Sequence, residues 1–157
     1  MTTHRIAPTV AEDIPGLQRV LEDTGLFPPD LLPEMFAPAR DGDPSAFWLT
    51  CHLGSEPVGL CYTRAEEMAD GTWNMLALGV ASAHRRSGLG AALVAAAEER
   101  LREQGQRMLL VDTSGTDDFA AARAFYEGIG YAQEARIRDF WAPGDDKITF
   151  RKSLTTG

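Results

Sequence analysis

The chain has 157 residues, 44% hydrophobic and 24% charged, a length and balance suited to one globular domain with a substantial core, and a second domain is not expected. Its formal net charge of -8 and pI near 4.8 exclude a general nucleic-acid binder, because the average surface field repels a polyphosphate. No run of about 18 apolar residues suits a membrane span, the stretch MTTHRIAPTVAEDIPGL does not pair a basic start with a long apolar run, and Cys51 and Cys61 are too few for a disulfide scaffold, so a reducing cytoplasm is the expected setting.

A short strand is predicted around His4 to Pro8, then a helix from about Val10 to Asp23 with Ile14, Leu17, Val20 and Leu21 as its buried stripe, ended by Gly25 and Pro28-Pro29. A second helix is expected over Asp30 to Ala39, with Asp30 as its cap and Leu31, Leu32, Met35 and Phe36 apolar, before the turn Arg40 to Pro44. Strands follow at Phe47 to Leu53, Pro57 to Ala65 and Thr72 to Ala81, separated by Gly54-Ser55-Glu56-Pro57 and by the acidic loop Glu66 to Gly71. Cys51 and Cys61 fall on the first two of these strands. Buried free thiols are the favoured reading, with a bridge across the hairpin as the alternative.

The next stretch carries the chemistry. An apolar strand runs through Arg85-Arg86-Ser87-Gly88-Leu89-Gly90 into an amphipathic helix. The first N–H groups of a helix lack intrahelical partners and concentrate about half a unit of positive charge, so this junction suits an anion. Gly88 and Gly90 let a phosphate approach the main chain, and Arg85 and Arg86 add guanidinium donors that do not titrate away. A solvated basic turn is the plain alternative. The helix from Gly88 to Gln104 places Leu89, Leu93, Ala96, Ala97 and Leu101 on one face and Glu98, Glu99, Arg102 and Glu103 on the other, and Gly105 stops it. Met108 to Thr113 reads MLLVDT, a strand covered on both faces, and a helix-length connection to it implies a parallel crossover. A helix over Asp117 to Gly128 and strands near Glu134 to Trp141 and Lys147 to Leu154, around Pro143 to Asp146, complete the chain.

Other readings of the glycine turn fit less well. A dinucleotide fingerprint wants three glycines just after the strand, whereas a basic turn intervenes here and the third position is Leu93. No Gly-Lys-Ser/Thr follows for a phosphate-binding loop of the nucleotide hydrolases, and His4, His52 and His84 lack metal-ligand spacing.

The order of elements, the hexapeptide Arg85 to Gly90 as [Q/R]-x-x-G-x-[G/A], and Ala122 to Tyr131 as A-x-x-x-Y-x-x-x-G-[FY] together resemble the GCN5-related N-acetyltransferase family over nearly the whole chain. That resemblance implies an α/β (α+β) fold of the acyl-CoA N-acyltransferase type, with a central mixed, mostly antiparallel sheet of about seven strands flanked by about four helices, in one domain over residues 1–157. It implies acetyl-CoA as cosubstrate, its pantetheine arm paired with the main chain at Leu78, Gly79 and Val80 like an added strand, and its pyrophosphate held by Arg85, Arg86, Ser87, Gly88, Leu89, Gly90 and Ala91. Tyr126 matches the tyrosine that protonates the departing thiolate. A phenol near pKa 10 and a thiol near 8.5 are close enough to share that proton as charge develops.

Two positions depart from the family pattern. Relatives often carry an asparagine seven residues before the tyrosine, where this chain has Phe119; Ser114 or Thr116 can take over that cofactor contact, and both can also cap the following helix. Many relatives also carry a glutamate on the strand before the signature, where this chain offers Asn74, which can orient a water but is no base. An alkylammonium near pKa 10 must lose a proton before it attacks, so Glu66, Glu67, Asp112, Asp139 or a water relay are the candidates, and the base stays open. The expected acceptor is a small-molecule or peptide amine, consistent with an acidic surface, although acidity also serves solubility alone. Trp73, Phe140 and Trp141 would wall its pocket or belong to the core. Neither nucleic acid nor membrane is an expected partner, and a homodimer is compatible with the resemblance. A non-catalytic acetyl-CoA sensor on the same fold is the alternative function.

Overall fold

The computed structural model describes residues 3–155. Its strands are β1 (His4–Pro8), β2 (Ala46–Leu53), β3 (Glu56–Ala65), β4 (Thr72–Val80), β5 (Met108–Ser114), β6 (Ala132–Ala142) and β7 (Asp145–Ser153), and its helices are α1 (Ile14–Thr24), α2 (Leu32–Arg40), α3 (Leu89–Glu103) and α4 (Ala120–Gly128). The strands form one mixed sheet in the order β1-β2-β3-β4-β5-β7-β6. β4 and β5 pair in parallel, from Thr72 opposite Met108 to Met75 opposite Val111, as the helix-length connection requires. No helix among the described residues is long and apolar enough to cross a membrane.

The predicted helices begin later than their sequence patterns, for a local reason. Pro15 and Pro33 have no N–H to donate into an α-helical ladder, so the chain enters α1 and α2 through the tight turns Ala11–Asp13 and Pro29–Leu31. Asp30 lies inside the second of these turns and caps nothing through its side chain. Gly25 ends α1 as expected, in a left-handed conformation with its N–H donating to the Leu21 carbonyl at 2.8 Å.

The chain divides into two compact units, one formed by the described residues up to Ala65 with Leu76–Arg100, the other by Glu66–Met75 with the described residues from Leu101 onward. In the first, α1 and α2 bring Leu17, Val20, Leu21, Leu32 and Phe36 onto Trp48, Leu60, Tyr62 and Ala77 of the sheet. Leu93 of α3 reaches the sheet at Gly59, where a Cβ would lie 3.1 Å from its Cδ1. Glu98, expected on the solvent face of α3, is 5% exposed. It stands four residues after Val94 and three before Leu101, both buried, so it shares their face, and the buried stripe is wider than the leucine and alanine positions alone indicate. Asp13 and His52 form a buried pair at 2.8 Å. Burial pushes the Asp13 carboxyl up, but the Val10 N–H and the His52 and Thr50 side chains outweigh it and hold the group below its ordinary range.

Cys51 and Cys61 are both free and fully buried. They are not opposite one another, since Cys61 pairs with Leu49 and Cys51 with Gly59. Burial pushes the Cys61 thiol up to about 12, against a weak hydrogen bond from Thr63 that lowers it.

Gly16 of α1 packs against Pro57, where an added Cβ would meet the ring carbons at 2.6 and 2.8 Å. Glycine to alanine inside a helix ordinarily gains up to about 1 kcal/mol. Here the rigid ring cannot yield, so Gly16→Ala is expected to destabilise the fold by about 1–3 kcal/mol, read as a lower urea midpoint.

In the second unit, β5 buries Leu109, Val111 and Thr113 on one face, while on the other Met108, Leu110 and Asp112 are half-buried and only the terminal Ser114 is buried. The expectation of full cover on both faces therefore holds for one face. β6 is exposed along its whole length, with Phe140 and Trp141 about half exposed, whereas Trp73 is buried and donates its indole N–H to Gln106 at 2.8 Å.

Candidate active site

In the first unit, β4 delivers Leu78, Gly79 and Val80, all half-buried, to a single tight turn at Ser82–His84. Arg85, Arg86, Ser87 and Gly88 then stand exposed ahead of α3. Arg86 adopts a left-handed φ of 63°, costly for a residue with a Cβ, and Gly88 one of 84°, for which glycine is suited. Leu89 is buried and anchors the helix, whose ladder begins with Ala92 donating to Gly88 at 3.0 Å. The N–H groups of Leu89, Gly90 and Ala91 thus belong to the first turn, which has no intrahelical acceptors. Exposed guanidinium groups, a strained main chain and unfilled donors converge on one short segment, a combination that stabilises a bound phosphate.

This exposed turn is tied down by a residue that the sequence did not single out. Asp23, near the end of α1, accepts the Ser82 N–H at 2.6 Å and the Ser82 hydroxyl at 2.7 Å. The Ser82 N–H, then its hydroxyl, hold the Asp23 carboxyl below its ordinary range, with Arg85 contributing by charge. The two residues are 59 positions apart. No local pattern marks the tie; an acidic residue in the last turn of a helix, where it opposes the helix dipole, is the one available hint.

In the second unit, Tyr126 lies on α4, 9% exposed, within an aromatic cluster of Phe125, Phe150 and Tyr131 at centroid distances of 5.2, 5.8 and 6.2 Å. Ser114 donates its hydroxyl to Asp145 and accepts the Thr116 N–H at 3.1 Å. Arg123 fixes the same bend by donating to the Ser114 and Thr116 carbonyls, each at 2.7 Å. The Ser114 hydroxyl is therefore engaged within the chain, and Thr116 makes no side-chain cap.

The candidate bases separate clearly. Asp139 accepts the Gly144 N–H at 2.9 Å and serves the final hairpin turn, while Glu67 is exposed. Glu66 and Asp112 are brought together by Asn74, whose side-chain nitrogen donates to both at 3.0 Å.

The acetyltransferase (GNAT) family model matches residues 17–131. The chain belongs to the GNAT acetyltransferases. A GNAT-family protein from Desulfovibrio desulfuricans is 28% identical, with 98% of this chain and 100% of that one covered at a TM-score of 0.89. The ribosomal-protein-S18-alanine N-acetyltransferase of Escherichia coli is 17% identical, covering 99% and 96% at a TM-score of 0.80. An aminoglycoside 6'-N-acetyltransferase complexed with coenzyme A is 17% identical, covering 98% of each chain at 0.74. At those identities the last two show the GNAT fold alone. No curated protein matches the chain. The mixed seven-stranded sheet with four helices is that of the GNAT fold, as the sequence led us to expect. As a GNAT acetyltransferase the protein is an enzyme of amine acetylation, in a family that uses acetyl-CoA.

Proposed function

We propose that this protein moves the acetyl group of acetyl-CoA to a primary amine by direct attack in a ternary complex, working as one acetyltransferase domain. The observation that carries the reading is the exposed Arg85–Gly88 turn, with Arg86 and Gly88 in left-handed conformations at the start of α3. Leu78, Gly79 and Val80 offer main-chain groups to the pantetheine arm, and Arg85 to Ala91 hold the pyrophosphate. Ser114 contributes by shaping the bend after β5, since its hydroxyl is already shared. The amine nitrogen bonds to the acetyl carbon, the carbon–sulfur bond breaks, Tyr126 gives its phenolic proton to the sulfur, and the nitrogen gives up its surplus proton to a carboxylate or an ordered water. The acceptor is a small-molecule or peptide amine.

The test is titration with acetyl-CoA, followed by assay of thiol release with spermidine, kanamycin, lysine and a peptide beginning with alanine. Binding with acetylation of at least one amine supports the reading. Tight binding without transfer to any of them favours the sensor, and absence of binding defeats both.

Asp23 gives this reading a second handle. Asp23→Asn places an amide where two Ser82 donors meet a carboxylate. The expected result is a rise of up to about tenfold in KM for acetyl-CoA with kcat nearly unchanged. Because the Asp23 carboxyl is held low, the tie is complete above the ordinary value of 3.8 and loosens only as pH falls through the depressed one. Coenzyme affinity should therefore show no Asp23 titration near neutrality.

A further inference from the structure

We propose that Glu66 is the group that accepts the proton lost by the attacking amine, held in place by the buried amide of Asn74 and, behind it, by Asp112. The inference rests on the acetyl-transfer reading above and concerns residues of the second unit alone.

Asn74 is 7% exposed, so its polar atoms need partners inside the protein. Both hydrogens of its side-chain nitrogen are committed, one to a Glu66 oxygen and one to Asp112 Oδ2, each at 3.0 Å. Ionised carboxylates only accept, which fixes the amide with its nitrogen toward them. Its carbonyl oxygen Oδ1 is left buried with no hydrogen-bond partner. A buried acceptor without a donor is unfavourable, and an N–H from an incoming amine or a water would supply one.

Asp112 is saturated. Its Oδ1 accepts the Thr149 hydroxyl at 2.6 Å, and its Oδ2 takes the Asn74 donor with the Lys147 ammonium 3.7 Å away. With both oxygens engaged, Asp112 suits an anchor better than a proton acceptor. Glu66 differs. It stands half-buried where β3 gives way to the loop, its N–H donating to the Thr72 carbonyl at 2.9 Å. One of its carboxylate oxygens receives Asn74, and among the described residues no donor reaches the other. Of the four candidate carboxylates it alone combines a fixed main chain, a buried tether and an uncommitted oxygen. Glu67 is exposed and Asp139 is engaged in its hairpin.

Asn74 thus acts as a positioning residue. It stands on β4 and tethers Glu66, so the basic function falls to a carboxylate beside the strand. Glu66 takes one proton of the ammonium on its free oxygen and passes it to solvent, leaving a neutral amine that attacks the acetyl carbon. The carbon–sulfur bond breaks and the Tyr126 proton goes to sulfur. The proton shed by the new amide nitrogen returns through solvent to the Tyr126 phenolate, so one proton is released overall and charge balances. The titratable groups around Glu66 are Asp112 and Lys147 in the cluster, Glu67 and Asp70 along the loop, and Arg107, which donates to the Asp70 carbonyl.

The experiment uses the full chain and whichever amine of the four is acetylated fastest. Glu66→Gln should lower kcat at pH 7 by about 10²-fold or more while leaving acetyl-CoA affinity within about twofold. Its rate should then climb about tenfold per pH unit, closing the deficit near the amine's own pKa of about 10, because a neutral amine needs no base. Formate should restore part of the activity of Glu66→Ala, and Asn74→Leu should lose kcat in the same direction with a smaller change. A Glu66→Gln enzyme within about threefold of wild type, or one whose deficit is the same at every pH and unmoved by formate, overturns the assignment while leaving acetyl transfer intact. A wild-type protein that binds acetyl-CoA yet acetylates none of the amines overturns the transfer reading, and this inference with it.

Discussion

Replacing Tyr126 with phenylalanine is expected to reduce the rate of acetyl transfer by about 10²-fold or more, with acetyl-CoA binding and the fold left close to wild type. The size follows from what a general acid supplies: the thiolate of acetyl-CoA must leave before water can protonate it unless a donor is already in place. The selectivity follows from packing. The Tyr126 ring meets Phe125 and Tyr131 edge-on at 5.2 and 6.2 Å and Phe150 at a tilt at 5.8 Å, contacts that phenylalanine retains. Removing one hydroxyl costs on the order of 1 kcal/mol of stability, too little to unfold the domain. Single-turnover measurement with a saturating amine, beside calorimetric titration of acetyl-CoA, separates chemistry from binding. Unchanged turnover with intact binding removes Tyr126 from the mechanism.

The largest effect on stability is expected at Trp48. It is 2% exposed, stacks on Tyr62 at 4.1 Å with the rings 9° from parallel, and meets Phe36 edge-on at 6.5 Å. Truncation to alanine removes the centre of the core beneath α1 and α2 and should cost about 3–5 kcal/mol. Trp48→Phe should cost much less, about 1–2 kcal/mol, because the indole N–H has no hydrogen-bond partner among the described residues and its loss relieves a buried unsatisfied donor. Urea unfolding followed by far-ultraviolet circular dichroism checks both. Equal losses in the two variants would show that the indole nitrogen carries no such penalty.

The elements and their order were legible because their signals are local. Hydrophobic periods, Gly25 and Gly105 as stops, and the hexapeptide Arg85 to Gly90 each need only a few neighbouring residues to be read. The misjudged details came from interactions that a pattern cannot weigh. Val94 and Leu101 carried Glu98 inward, against the charge that placed it on the solvent face. Pro15 and Pro33 delayed α1 and α2 by a turn, which amphipathic spacing alone does not register. In the candidate site, Arg86 holds a conformation usually left to glycine, so its residue type concealed it. The Asp23 tie and the Asn74 bridge were invisible for a different reason. Each joins side chains from separate parts of the chain, Asp23 to Ser82 and Asn74 to Asp112, and only the folded sheet brings the partners within 3.0 Å or less. The four acidic candidates, left open in the sequence, are separated by placement: Glu67 is exposed, Asp139 is tied into its hairpin turn, and Asn74 joins Glu66 to Asp112, whose other oxygen is also engaged.

The two inward-facing cysteines have a practical side. With Cys51 and Cys61 sealed in the core and the Cys61 thiol pushed up to about 12, neither presents a thiolate to a maleimide or disulfide reagent while the protein is folded. A probe can be coupled through a thiol engineered onto the exposed Arg85–Gly88 turn without first stripping the native sulfurs, so coenzyme arrival can be watched by fluorescence in a protein whose interior is untouched.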